Sequence, residues 1–264
     1  MISARNLKSL HKWFDSYAGR YKSRKDKELT NNTLLKQKHT KRVCGLITDI
    51  GRTLKLSPAD LRLAETTALF HDVGRFEQYV IQRNFADTKH LDHAAGAVSI
   101  LRRFKVLDCL GACSREIVLK AVKHHNRMLL PKKESGRVLF FSKLLRDADK
   151  IDIIDLLINY YMGNTGPGDE EIEVFFPDTP QISRAVTADL LAGRIVKFSK
   201  LKTINDFKLY KMGWLLDLNF EGSFEIVRKK RYLEKLLSTL PKKPEVLAVY
   251  NYVKSKIQNP NDKI

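Results

Sequence analysis

Seven histidines occur in the chain, and most of them stand in an order that could hold a cation: His39, the pair His71-Asp72, His93, the pair His124-His125, and then Asp149. Imidazole nitrogen with carboxylate oxygen suits a divalent ion such as Mn, Fe, Co, Ni, Zn or Mg, and no cysteine lies close enough in sequence to suggest a thiolate site. Each of these residues falls in or at the end of a predicted helix, so the side chains can converge inside a bundle. Adjacent His71 and Asp72 would point about 100° apart on a regular helix. At a helix terminus both can reach one ion, and Val73-Gly74 directly after them supplies such an end. Asp147 and Asp149 compete for the last position. Asp149 is preferred because it continues the stripe of Leu145, Asp152 and Leu156.

Phosphate-ester hydrolysis is one chemistry that such a set could carry. Phosphate esters resist attack because their oxygens repel a nucleophile and water is a poor one; a divalent ion lowers the pKa of its bound water and neutralises oxygen charge. Two ions roughly 3.5–4 Å apart could act on both partners at once, with no protein nucleophile required. Arg75, just beyond the His-Asp pair, could give a phosphate oxygen a bidentate contact, and Lys123 or Arg127 beside the double histidine could do the same. Asp152 is read either as an acceptor behind a ligand or as a surface charge. Asp92 and His90 are read as capping the helix of His93 in preference to orienting its ring.

The order H, HD, H, HH, D resembles the HD-domain metal phosphohydrolases, and the strings ALFHDVGRFEQ and LLRDADKIDIIDLL are similar to that superfamily's two most diagnostic segments. The resemblance runs from about Lys36 to Leu157, just under half the chain. TINDFKLYKMGWLLDLNF also looks like a segment of small bacterial HD proteins of undefined substrate. The resemblance implies a basic metal set of His39, His71, Asp72 and Asp149, with Asp72 able to bridge two ions. It implies that His93, His124 and His125 complete a second site, as in binuclear members and HD-GYP phosphodiesterases. Nothing after His125 matches GYP. Leu35 stands where some HD-GYP members carry a glutamate ligand, which argues against a third ion, and HDxGK reads here as His71-Asp72-Val73-Gly74-Arg75. The implied cofactor is one or two divalent ions. The implied substrate is a phosphorylated small molecule or nucleotide, with Asp72 and Arg75 carrying the chemistry.

Apolar residues recur at helical spacing through most of the chain, as in Val43, Leu46, Ile47 and Ile50, or Leu61, Ala64, Ala68 and Leu69. Period-two alternation is nearly absent. The expectation is all-α: an HD-domain helical bundle with additional C-terminal helices, forming one domain over 1–264. Its HD core covers about 36–160, with a basic N-terminal flank at 1–35 and a helical extension at 181–258. Ser57-Pro58 and Ser114 mark helix starts. Three helices are expected late in the chain, at Ile182 to Phe198, Phe224 to Leu237 and Glu245 to Ile257. Residues 163–180, rich in Gly, Pro and acidic side chains, read as a long loop that is either a lid or a connector, with a short extended piece at Glu173 to Phe176.

The formal charge is +18, and it is unevenly distributed. Residues 1–42 hold 12 Lys+Arg against 3 Asp+Glu, residues 197–264 hold 15 against 7, and the middle is nearly neutral. A basic surround raises the local concentration of an anionic substrate, an effect that salt weakens. It also keeps nucleic acid open as a partner, although no nucleic-acid-binding motif is recognisable. An HD-type nuclease and a non-catalytic nucleic-acid- or nucleotide-binding protein are therefore the alternatives. Cys44, Cys109 and Cys113 form neither a disulfide set nor a metal knuckle and are expected to be buried, inert thiols. No signal-like or membrane-spanning apolar run is evident, so a cytoplasmic protein without a membrane partner is expected.

Overall fold

The computed structural model of the protein describes residues 2–164 and 176–258. Helices dominate them and no strand occurs among them, in agreement with the all-α expectation. No helix among them is long and apolar enough to cross a membrane. The backbone divides into two compact units, Met1–Asp152 and Ile153–Ile264.

The first unit contains α1 (Ala4–Gly19), α2 (Lys27–Thr53), α3 (Pro58–Phe70), α4 (Gly74–Gln82), α5 (His93–Arg103), α6 (Ala112–His124) and the greater part of α7 (Gly136–Tyr161). The starts of α2 and α3 are chemically specified. Asp26 accepts from Leu29 N–H at 2.9 Å, and Ser57 accepts from Asp60 N–H at 3.1 Å with Pro58 in the first turn. An aspartate or serine cap of this kind is worth about 1 kcal/mol. α2 packs on α3, α3 on α6, α5 on α6 and α4 on α5. On α2 the buried stripe runs Leu35, His39, Val43, Ile47 and Ile50. His39 thus occupies a place in the apolar register, and core packing holds it.

The start at Ser114 is not observed: α6 begins at Ala112, with Gly111 as its cap residue. Gly111 leads in with extended backbone, so Ser114 is already inside the helix. Cys44 is buried as expected, but Cys109 and Cys113 are exposed. They lie around the start of α6, where the chain turns over the surface, and not along its buried face of Ile117, Val118, Ala121 and Val122.

The second unit holds the end of α7, then α8 (Arg184–Leu191), α9 (Ile204–Gly213), α10 (Glu221–Lys230), α11 (Tyr232–Ser238) and α12 (Pro244–Gln258). α12 packs on α8, α9 and α11. The helix expected to reach Phe198 stops at Leu191. Gly193 takes φ +66°, and Arg194 N–H bonds back to Asp189 O at 2.8 Å. The helix expected over 224–237 is two, broken at Arg231, which adopts φ 56°. That turn lets Phe224 and Val227 on one side and Leu233 and Leu236 on the other both reach the interior. α9 was not anticipated as a helix. Its start is a reciprocal capping box in which Thr203 and Asp206 satisfy each other's backbone donors. The lid reading of 163–180, and the extended piece from Glu173, lie for the most part outside the described residues.

Candidate metal centre

Two helix ends are built alike. His71 follows the last residue of α3 and His125 the last residue of α6, where the final carbonyls have no partner within the helix. Each histidine meets one of them: His71 Nδ1 lies 2.7 Å from Ala68 O, and His125 Nδ1 lies 2.7 Å from Val122 O. A carbonyl only accepts, so both Nδ1 atoms carry the proton and both Nε2 atoms present a lone pair. His39 and His93 direct Nδ1 at carboxylates instead. His39 Nδ1 is 2.7 Å from Asp152 Oδ2, and His93 Nδ1 is 2.7 Å from Asp87 Oδ1.

The four Nε2 atoms converge in two pairs, His39 with His71 at 3.1 Å and His93 with His125 at 2.9 Å. Asp72 stands between the pairs. Its Oδ2 lies 3.6 Å from His39 Nε2 and 3.7 Å from His71 Nε2, while its Oδ1 lies 3.3 Å from His93 Nε2 and 3.7 Å from His125 Nε2. Asp149 Oδ1 joins the first pair, 3.2 Å from His39 Nε2 and 3.6 Å from His71 Nε2. Of the two competing aspartates, Asp149 is therefore the one at the centre; Asp147 is buried but does not belong to it.

Facing Nε2 atoms at these distances need a proton or a metal cation between them. Three carboxylate oxygens face the same space, so the donor set fits divalent metal chemistry. With no metal bound, a proton on His39 takes that place. Burial disfavours charge on His39, but hydrogen bonds to Asp149 and Asp152 outweigh it and push the pKa up to about 9. Burial and then the Arg75 charge pull His93 down to about 4, against the opposing effect of Asp87. Asp72 is held well below the usual carboxylate range: burial opposes ionisation, and the charges of Lys36 and Arg75 help overcome it.

The His71-Asp72 step explains why neighbours can face one centre. α3 ends at Phe70, the chain turns through 71–73, and α4 begins at Gly74. The helix end expected beside Val73-Gly74 is present, with Gly74 as the first residue of α4 and without left-handed backbone. The lack of a side chain at Gly74 serves contact, because a Cβ there would lie 2.1 Å from His93 O and 2.7 Å from Ala97 N. The glycine lets the start of α4 lie directly against α5, which carries His93.

His124 is not brought into the centre. Its Nε2 lies 3.1 Å from Glu134 Oε1, and its Nδ1 is buried without a hydrogen-bond partner. Being one residue before His125 on a helix end, it is rotated away from the side His125 faces. Arg75 does reach the centre, with Nε 3.4 Å from Asp72 Oδ1, but its Nη1 is engaged by Gln78 Oε1, Phe85 O and Asp87 Oδ1. Lys123 and Arg127 are exposed. Asp92 caps α5 by accepting from Ala94 and Ala95 N–H, as expected. His90 is exposed.

Three residues at the centre escaped the sequence reading. Asp87 orients His93, six positions before it in an irregular segment that has no periodicity to read. Arg42 closes on Asp152 through Nε at 2.7 Å and Nη2 at 3.0 Å, making Asp152 a buried acceptor shared by His39 and Arg42. Lys36 Nζ lies 2.9 Å from Asp72 Oδ2. It sits one turn before His39 on α2, a spacing that was visible. A further grouping of Asp87, Asp92 and His93 is already internally satisfied, since Asn126 Nδ2 donates to both carboxylates, at 3.3 and 3.0 Å.

Residues 37–157 fit the family model described as the HD domain. No curated protein and no solved structure matches the chain.

Proposed function

Residues 37–157 form an HD domain, the hallmark of a superfamily of metal-dependent phosphohydrolases, and from that premise we propose that this chain hydrolyses phosphate esters using two divalent ions. The observation that carries the reading is the convergence of four Nε2 atoms around Asp72, which offers one carboxylate oxygen to each pair. His39, His71 and Asp149 with Asp72 Oδ2 would hold one ion, and His93 and His125 with Asp72 Oδ1 the other.

Bound ions of this kind supply acidified water and neutralise phosphoryl charge. The protein's part is to keep the receiving groups fixed. Ala68 O, Val122 O, Asp87 and Asp152 hold the four Nδ1 protons and so turn each Nε2 toward the place of a cation. Asp149, with a side chain 16% exposed against 5% for Asp72, marks the more open edge of the centre. The substrate class we propose is an anionic phosphomonoester or phosphodiester, nucleotide-like, and the excess of basic residues in both flanks supports it.

Metal analysis of protein purified without chelator or histidine tag tests the reading, followed by a phosphatase and phosphodiesterase panel with Mn, Ni, Co and Mg. Metal-dependent turnover is expected. Nucleotide binding without hydrolysis under any of these ions would instead favour a regulatory binding protein. Cleavage confined to long single strands would favour a nuclease. Salt-sensitive binding to nucleic acid that survives loss of the histidines would favour a binding module.

A further inference from the structure

We infer that Lys36, a residue outside the H, HD, H, HH, D pattern, is the side chain that binds the substrate's phosphate. The inference rests on the phosphohydrolase reading and deepens it.

Lys36 projects from the same face of α2 as His39, one turn earlier. Its Nζ donates to Asp72 Oδ2 at 2.9 Å, and this is its only hydrogen bond among the described residues. An ammonium has three donors, so two remain for another acceptor. The side chain is 16% exposed and its Nζ lies 4.8 Å above the Phe85 ring, a partly exposed aromatic face that attracts a cation. A positive charge is thus held beside the cluster, on the Asp72 oxygen that faces His39, His71 and Asp149, and the last of these forms the open edge.

Arg75 is the obvious competitor, and its surroundings give it another task. Its Nη1 is tied to Gln78, to the carbonyl of Phe85 and to Asp87, the carboxylate that orients His93. Phe85 therefore serves both cations. Its carbonyl anchors Arg75 and its ring supports Lys36. Arg75 is a positioning residue for the loop that fixes His93, and its Nε, which makes no hydrogen bond, is a buried atom; Lys36 keeps two ammonium donors on a side chain that is 16% exposed.

Inorganic phosphate is the probe, titrated calorimetrically into metal-loaded parent, Lys36→Met, Lys36→Arg and Arg75→Met proteins whose metal content per chain is measured alongside. Losing one charge-assisted contact should weaken phosphate binding about 10- to 100-fold in Lys36→Met, with metal content unchanged and Lys36→Arg recovering most of the affinity. With a hydrolysed ester, KM should rise more than kcat falls. Arg75→Met should instead lower metal content at the His93 and His125 side. Unchanged phosphate affinity in Lys36→Met at full metal content overturns the inference and leaves the phosphohydrolase reading standing. Loss of metal in Lys36→Met also overturns it, because Lys36 would then support the ions and not the substrate. Parent protein that takes up no metal overturns both.

Discussion

Asp152→Asn isolates the electrostatic support behind a single ligand. The carboxylate is buried and accepts from His39 Nδ1 at 2.7 Å, Arg42 Nε at 2.7 Å and Arg42 Nη2 at 3.0 Å. An amide of the same shape offers one oxygen and one donor group, so it must forfeit either the Arg42 Nε contact or both the His39 and the Arg42 Nη2 contacts, and its charge is gone in either case. A hydrogen bond to a charged group contributes about 1.5–3 kcal/mol. Removing the carboxylate behind a metal-ligating histidine generally weakens the metal by about 10- to 100-fold, or about 1.4–2.7 kcal/mol. Arg42 is 37% exposed and can turn toward water, so the fold should survive. The expected result in a stepwise calorimetric metal titration of stripped protein is selective. The ion held by His39, His71 and Asp149 should weaken by that factor. The one held by His93 and His125, which Asp152 does not touch, should change by less than about threefold. Equal weakening of both steps, or none, would refute the idea that Asp152 acts through the His39 ring.

Other expectations follow from the same geometry. Gly74→Ala places a methyl group 2.1 Å from a backbone oxygen of α5, so the two helices must separate. A loss of at least about 2 kcal/mol in denaturant unfolding is expected, along with weaker metal at the His93 side. Full stability would show the approach to be looser than described. His124→Gln should leave metal content unchanged, since His124 faces Glu134; loss of an ion on mass spectrometry would restore His124 to the ligand set. Reversing charge at Lys22, Arg24 and Lys25 should raise KM for an anionic ester at low salt and matter less at high salt. KM unchanged at both ionic strengths would leave that charge as a matter of solubility.

The types and order of the central residues were legible in the sequence because imidazole and carboxylate recur there in a pattern suited to a metal, and because His39 and Asp149 occupy regular helix stripes. What was not legible depends on irregular backbone. Asp87 orients His93 from a segment without period, and whether one or both residues of a His-His pair face inward depends on the angle at which α6 ends. Gly74 was read as marking a helix end because glycine serves that purpose often; the reason for its missing side chain, contact with α5, involves residues about twenty positions away. Lys36 and Arg42 were within reach of a spacing argument, lying three residues either side of His39. The break at Arg231 was hidden because Arg-Lys-Lys-Arg favours helix locally, and tertiary packing overrides that preference.

The central claim is that Asp72 is shared by two cations, and metal content per chain tests it most directly. Mass spectrometry of the parent, His125→Ala and Asp72→Ala proteins should give about two ions, one and none respectively, with circular dichroism showing that the helices persist. Hydrolysis of a generic monoester or diester should be reduced in the histidine variant and abolished in the aspartate variant. A parent with a single ion that His125→Ala leaves undisturbed would contradict the shared carboxylate and reduce the centre to His39, His71, Asp72 and Asp149. Hydrolysis that survives Asp72→Ala would contradict the account at its root.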